Sequence, residues 1–250
     1  MKQLLRAALP AAMRSHRIWS GPLRGCQLVT SWRDYPAAII GYTERPLLRW
    51  LAANVRRGET WLDVGAHYGY TAVAMSRLVG GDGRVFAFEP VPETAGCLAV
   101  TRCRNQLAHL TVLPIGLSDA PGVSVLDVPV VRGMAEHARP PDGARVAIVT
   151  MPLDGIWDAV SRGCRAVHGV KVDVQGMENQ VLAGMRGLLH EFRPRVVVEF
   201  HSGVDPRPTF EVLDGLGYGL PGVALGGHGP DVSLAFVAGP PESVRARAAT

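Results

Sequence analysis

Acids close four apolar runs of this chain. Asp63 ends "TWLDV", Glu89 ends "VFAFE", Asp173 ends "GVKVD", and Glu199 and His201 end "RVVVEFH". Behind Asp63 stand two glycines, Gly65 and Gly69, with Ala66, His67 and Tyr68 between them. Glycines there let the backbone turn tightly and approach a ligand closely. A helix-like pattern starts at the turn, so its free amide groups point into the same space. A dinucleotide site calls for G-x-G-x-x-G, and this turn lacks the middle glycine of that pattern. Glu89 comes 26 positions after Asp63, where an acid reaches the ribose hydroxyls of a bound nucleoside. A carboxylate beside a glycine turn suits a ligand with an amino group and a positive charge better than a diphosphate.

Asp173, Glu199 and His201 are the candidates for chemistry. Their strands should border the same crevice as Asp63 and Glu89. His201 has the pKa range of a general base near neutrality. Asp173 could orient it or bind an acceptor hydroxyl directly. Lys171 alternates with Asp173 onto one strand face and is expected to pair with an acid there. The oxygen and imidazole groups of Asp173, Glu199 and His201 would also permit a divalent ion. Carboxylates at strand ends are more often hydrogen-bonded without one, so a metal is not favoured. Glu178 lies in the first turn of a helix, where the helix dipole is a sufficient reason for an acid. His67 is expected to shape the pocket.

The elements that position these residues alternate. "ERPLLRWLAANVRRG" is a helical stripe, "TWLDV" a strand, "GYTAVAMSRLV" a helix, "GRVFAFEP" a strand and "PETAGCLAVTRCRNQL" a helix. "HLTVLPIGL", "GVKVDV" and "RPRVVVEFH" are further strands, the last two separated by a helix. "PTFEVLDGLGY" is a helix and "VSLAFVAG" a last strand. Short apolar runs alternating with longer helices predict an α/β fold: a doubly wound, mostly parallel sheet with helices on both faces. Ligands bind such sheets at the carboxyl ends of the strands. Residues 117–152 break the rhythm with two strand-like pieces around a long loop. That loop carries Arg132, Met134, His137 and Arg139 and is expected to act as a lid.

Five motifs in order resemble one family. "DVGAHYGYT" and "VFAFEP" resemble the first two motifs of class I S-adenosylmethionine-dependent methyltransferases. "GLSDAPG", "KVDVQGMENQVLAGM" and "RPRVVVEFH" resemble later motifs of the FkbM family, and "IIGYTERP" is similar to its lead-in. The resemblance spans roughly residues 38–203. It implies that Asp63, Gly65 and Gly69 hold the methionine end of the cofactor, with Ala66 of the same turn among the contacts. It implies that Glu89 takes the ribose and that Asp119 sits near the adenine amino group. It also implies S-adenosylmethionine as cofactor and methyl transfer to a hydroxyl of a small molecule of polyketide, sugar or similar type. Gln175 departs from the family pattern, which has Glu there; a glutamine hydrogen-bonds but does not accept a proton.

Composition bounds the rest. Apolar content of 47% against 19% charged residues describes a globular chain with a real core. Of the net +4, six cations precede the first acid, Asp34, which leaves −2 for residues 34–250. A basic leader, not a basic face, sets the overall charge, and this opposes nucleic acid as a partner. Residues 1–37 are expected to form a basic N-terminal arm or helix, residues 38–239 the methyltransferase domain with the 117–152 hairpin and lid, and residues 240–250 a tail. No apolar run approaches a membrane span. Cys26, Cys97, Cys103 and Cys164 form no CxxC pair, and reduced thiols in a cytoplasmic protein are expected. A homo-oligomer is compatible with the sequence. The competing readings are a nucleotide-binding protein without transfer activity and, less favoured, a nicotinamide-dependent oxidoreductase.

Overall fold

The computed structural model describes residues 8–128, 144–226 and 231–239. The residues expected as a basic arm or helix contain a β-ladder instead. Strand β1 (Arg14–Arg17) pairs antiparallel with β2 (Gln27–Thr30). The reason lies in the apolar residues between the arginines. Ile18, Leu23 and Leu28 are buried in the same core cluster as the first half of the domain. Asn105 fastens the ladder, accepting from the Gln27 backbone at 2.9 Å and donating back to it at 2.6 Å.

Two helices follow, α1 (Pro36–Ile40) and α2 (Arg45–Asn54). The expected alternation then runs through β3 (Thr60–Val64), α3 (Tyr70–Val79), β4 (Arg84–Phe88), α4 (Pro92–Arg104) and β5 (Leu110–Leu113). The run "HLTVLPIGL" is not one strand: beyond Pro114 the chain leaves the sheet, and β6 (Gly116–Leu117) joins a different one. There it pairs with β8 (Ala144–Met151), which is antiparallel to β7 (Gly122–Val128). The lid residues Arg132, Met134, His137 and Arg139, and the 240–250 tail, lie outside the described residues.

The second half contributes α5 (Leu153–Val160), β9 (Gly169–Val172), α6 (Glu178–Ala183), α7 (Arg186–Phe192), β10 (Arg195–Phe200), α8 (Arg207–Gly215), β11 (Val223–Gly226) and β12 (Val232–Phe236). The main sheet has the order β11–β12–β10–β9–β3–β4–β5. From β10 to β5 its neighbours are parallel; β12 is antiparallel to both β10 and β11. The order reverses between β3 and β9, and a crevice forms where connections leave to opposite faces.

Strand alternation divides the core into two layers. Trp61, Val85, Ala87 and Val197 face one side with α2, α3, α4 and the N-terminal ladder. Leu62, Phe86, Phe88, Val196 and Val198 face the other, with α5 to α8. Gly169 is small for a packing reason: a Cβ there would meet the Trp61 ring at 2.4 Å. Among the described residues no helix is long and apolar enough to cross a membrane.

Candidate active site

A cavity of about 410 Å³ lies at the carboxyl ends of β3, β4, β9 and β10. Its size suits a small-molecule ligand. Its wall carries Asp34, Glu44, Glu89, Asp173, Glu199 and Asp231, against one lysine, Lys171. Such an excess of carboxylates favours a cationic ligand and opposes a diphosphate.

Of the residues expected at the cofactor, Gly65, Ala66 and Glu89 line the cavity. Gly65 has φ +76°, and a Cβ there would lie 1.8 Å from the Asp173 carbonyl oxygen. Only glycine lets these two strand ends close up. Glu89 is almost fully buried and pinned at both oxygens. The His67 backbone N–H donates to Oε2 at 2.9 Å and that of Val91 to Oε1 at 3.0 Å. Burial pushes its carboxyl up to about 7, against the pull of these two bonds. His67 takes the left-handed conformation (φ 51°) that aims its N–H at Glu89.

The other three expected cofactor residues are elsewhere. Asp63 is fully buried below the wall, where the Lys171 ammonium sits 3.1 Å from its Oδ1. An unpaired buried carboxylate is costly, so this ion pair is the physical reason it faces inward. Gly69 is buried at the start of α3 with φ +91°, and a Cβ there would strike Leu98 Cδ1 at 2.1 Å. Its role is to let α3 approach α4. Asp119 is exposed and outside the cavity wall; its Oδ1 accepts from the neighbouring Ser118 hydroxyl at 3.1 Å.

Lys171 ties the two halves of the site together. Besides Asp63 it reaches Asp173 Oδ2 at 3.3 Å and donates to the Gly65 carbonyl at 3.1 Å. Burial works to lower its pKa, but the charges of Asp63 and Asp173 outweigh that and hold it above its ordinary value.

All three candidates for chemistry, Asp173, Glu199 and His201, line the cavity. His201 Nδ1 lies 2.7 Å from Glu178 Oε1, so the N–H there donates to a carboxylate with no exposed surface. The Gln175 amide then donates to Nε2 across 2.7 Å, and Asp173 Oδ1 stands 3.4 Å from the same nitrogen. Burial alone would lower the imidazole pKa; the Glu178 hydrogen bond and the charges of Asp173, Glu178 and Glu199 raise it overall. Glu199 is pushed up to about 7 by burial, with Asp173 and Glu44 adding to the effect.

Glu178 is the residue that sequence reasoning undervalued. Its place in a first helical turn explained it without function, but its carboxylate also accepts from the Gly176 N–H at 3.0 Å and so fixes the loop beside His201. The spacing gave no sign of Asp231 or of Tyr35, whose ring lies against His67 and Tyr70 at centroid distances of 5.5 and 6.2 Å. One possible set of cation ligands differs from that expected. Glu199, His201 and Asp231 place a ligand atom each within 4.8 Å of one another, with Asp231 where Asp173 was expected.

The strand order and the acid-rimmed cavity define a class I S-adenosylmethionine-dependent methyltransferase fold. Fibrillarin from Aeropyrum pernix, solved with S-adenosyl-L-methionine, superposes with a TM-score of 0.51 at 14% identity over 91% of this chain and 83% of that one. A methyltransferase FkbM from Methylobacillus flagellatus aligns with a TM-score of 0.49 at 17% identity, over 80% and 52% of the two chains. The methyltransferase FkbM domain matches residues 63–218. Hexuronic acid methyltransferase AglP of Haloferax volcanii is 31% identical over 172 residues, 68% of this chain and 67% of that relative. The chain belongs to the FkbM methyltransferase family.

Proposed function

We propose that this methyltransferase acts on a hydroxyl group of a small, sugar-type molecule. The carrying observation is the cavity-facing His201, backed by the buried Glu178 and flanked by Asp173. That group can take a proton from an alcohol and hold it. The 31% identity to a hexuronic acid methyltransferase supports the sugar class.

The lining fits the cofactor. Glu89, held rigidly by two backbone N–H groups, offers its remaining lone pairs to a ribose diol. Gly65 and Ala66 bring bare backbone to the methionine end. Bound S-adenosylmethionine supplies a methyl group on a positively charged sulfur, ready for displacement. The residues around it do the rest. His201 Nε2 accepts the acceptor's hydroxyl proton as general base. Glu178 holds the imidazole by Nδ1–H, which fixes the tautomer with its lone pair at Nε2. Asp173 and Glu199 stabilise the imidazolium once formed. Gln175 donates to Nε2 in the resting state and must yield that lone pair to the acceptor. Orienting the acceptor oxygen supplies much of the rate.

The test is turnover of labelled S-adenosylmethionine on a panel of hydroxylated acceptors that includes hexuronates, neutral sugars and polyketides. His201→Ala should lose at least 100-fold in kcat while keeping its affinity for S-adenosylhomocysteine. Transfer to no saccharide acceptor, or full activity in His201→Ala, would overturn the reading.

A further inference from the structure

The N-terminal ladder carries a second hollow, of about 560 Å³, lined by Arg17, Ile18, Trp19, Arg24 and Gly25. Three features set it apart from ordinary surface. First, Trp19 is 60% exposed yet rigidly held. Its ring packs edge-on against Trp32 at 5.1 Å, and its backbone N–H donates to the Ile39 carbonyl at 3.0 Å. Second, neither Arg17 nor Arg24 makes an ion pair among the described residues. Third, Gly25 takes the left-handed conformation (φ +89°) that glycine favours, which shapes the rim beside the Arg17 guanidinium.

The hollow is also connected to the cavity wall through one loop. The Ser20 hydroxyl donates to the Ile40 carbonyl at 2.6 Å, and Gly41 lets the two segments touch. Beyond exposed Tyr42, which stacks under the Arg45 guanidinium at 4.0 Å, Thr43 and Glu44 line the catalytic cavity.

A fixed, bare indole face takes up the C–H face of a pyranose, and two unpaired guanidinium groups take up carboxylate oxygens. A uronic acid unit presents both features at once. Resting on the reading of a sugar-type acceptor, we infer that this hollow is a subsite for a carboxylated sugar unit of the acceptor, remote from the hydroxyl that is methylated. Arg17 and Arg24 select the anion and Trp19 supplies the platform.

The experiment is calorimetric titration of the whole protein, saturated with S-adenosylhomocysteine, with a glucuronate trimer, a neutral glucose trimer and inorganic phosphate. The uronate trimer should bind at least tenfold more tightly than the neutral one. Arg17→Ala combined with Arg24→Ala should abolish that preference, and Trp19→Ala should weaken both trimers. Affinity for S-adenosylhomocysteine, unchanged in all variants, confirms that they fold. Equal affinity for the two trimers overturns the proposal, as does a preference that survives loss of both arginines, or phosphate binding as tightly as the uronate trimer. The two readings fail separately. A uronate preference that depends on the arginines, with no saccharide methylated, removes the proposed activity and leaves the subsite standing. Saccharide methylation with a preference indifferent to the arginines removes the subsite alone.

Discussion

The Nδ1 of His201 and the Oε1 of Glu178 lie 2.7 Å apart, with the carboxylate fully buried. A proton on the imidazole is stabilised by that charge, so the base titrates above the ordinary histidine value. In the proposed mechanism the neutral form is the active one, and kcat/KM should therefore rise with pH and level off only above about 6.5. Glu178→Gln keeps a hydrogen-bond acceptor but removes the charge. Its acid limb should move down, with a plateau some tenfold lower. A pH–rate profile measures both; an unmoved limb would show that another group controls it.

Gln175→Glu tests the opposite face of the same ring. The glutamine amide donates to Nε2 across 2.7 Å, which favours neutral imidazole. A carboxylate cannot donate and favours imidazolium. The acid limb should move up, with activity about tenfold lower at pH 7 and recovering toward pH 9. Profiles of the two variants should therefore shift in opposite directions.

The ribose contact proposed for Glu89 would link cofactor binding to stability. A carboxyl with pKa about 7 in the folded chain and about 4.5 unfolded binds protons more tightly when folded. Its stabilising contribution is complete below the unfolded value and is lost as pH rises through about 7, a difference of up to about 3 kcal/mol. Glu89→Gln should flatten the dependence of Tm on pH between 5 and 8. It should also weaken S-adenosylhomocysteine binding by at least tenfold, because one acceptor for the ribose is lost. Thermal melts across that range, with and without ligand, report both.

Packing requires a glycine at 69, and its substitution should show as much. Gly69→Ala meets Leu98 at 2.1 Å and adds a side chain at φ +91°. A loss of about 2–4 kcal/mol in denaturant unfolding is expected. Adding Leu98→Ala should recover part of that loss despite the cavity it leaves, a coupling visible in a double-mutant cycle. Cofactor affinity of the refolded single variant should change less than threefold.

The cluster of Glu199, His201 and Asp231 leads to a chelation test. His201 already receives a hydrogen bond at Nε2, and the proposed chemistry needs that nitrogen free of a metal. Turnover should stay within twofold after treatment with excess chelator. A loss restored by one divalent ion would reassign these three residues as ligands.

The sequence made the scaffold legible wherever a local pattern had one outcome. "TWLDV" and "RVVVEFH" are apolar runs too short for helices, and they became β3, parallel to β4 and β9, and β10, parallel to β9 and antiparallel to β12. Glu89 could be placed because a single acid ends a buried strand. Asp63 ends one as well, but which way its carboxylate turns depended on Lys171, 108 positions away in sequence, and no local spacing encodes that pairing. Pro114 hid the change of sheet inside one apolar run. In the leader, charge masked Ile18, Leu23 and Leu28, whose burial needs the partner surface of α4. Asp173, Glu199 and His201 were legible as polar residues at strand ends bordering one crevice, while the tie between Glu178 and His201 is a property of the folded chain.

Lys171 grips the carbonyl of Gly65 and the carboxylates of Asp63 and Asp173 with one ammonium. The glycine turn after β3 and the carboxyl end of β9 thus share a single rivet. Drawing that ammonium toward one carboxylate loosens its grip on the other. Both halves of the crevice are fastened at one point, and removing this one ammonium would free three groups at once.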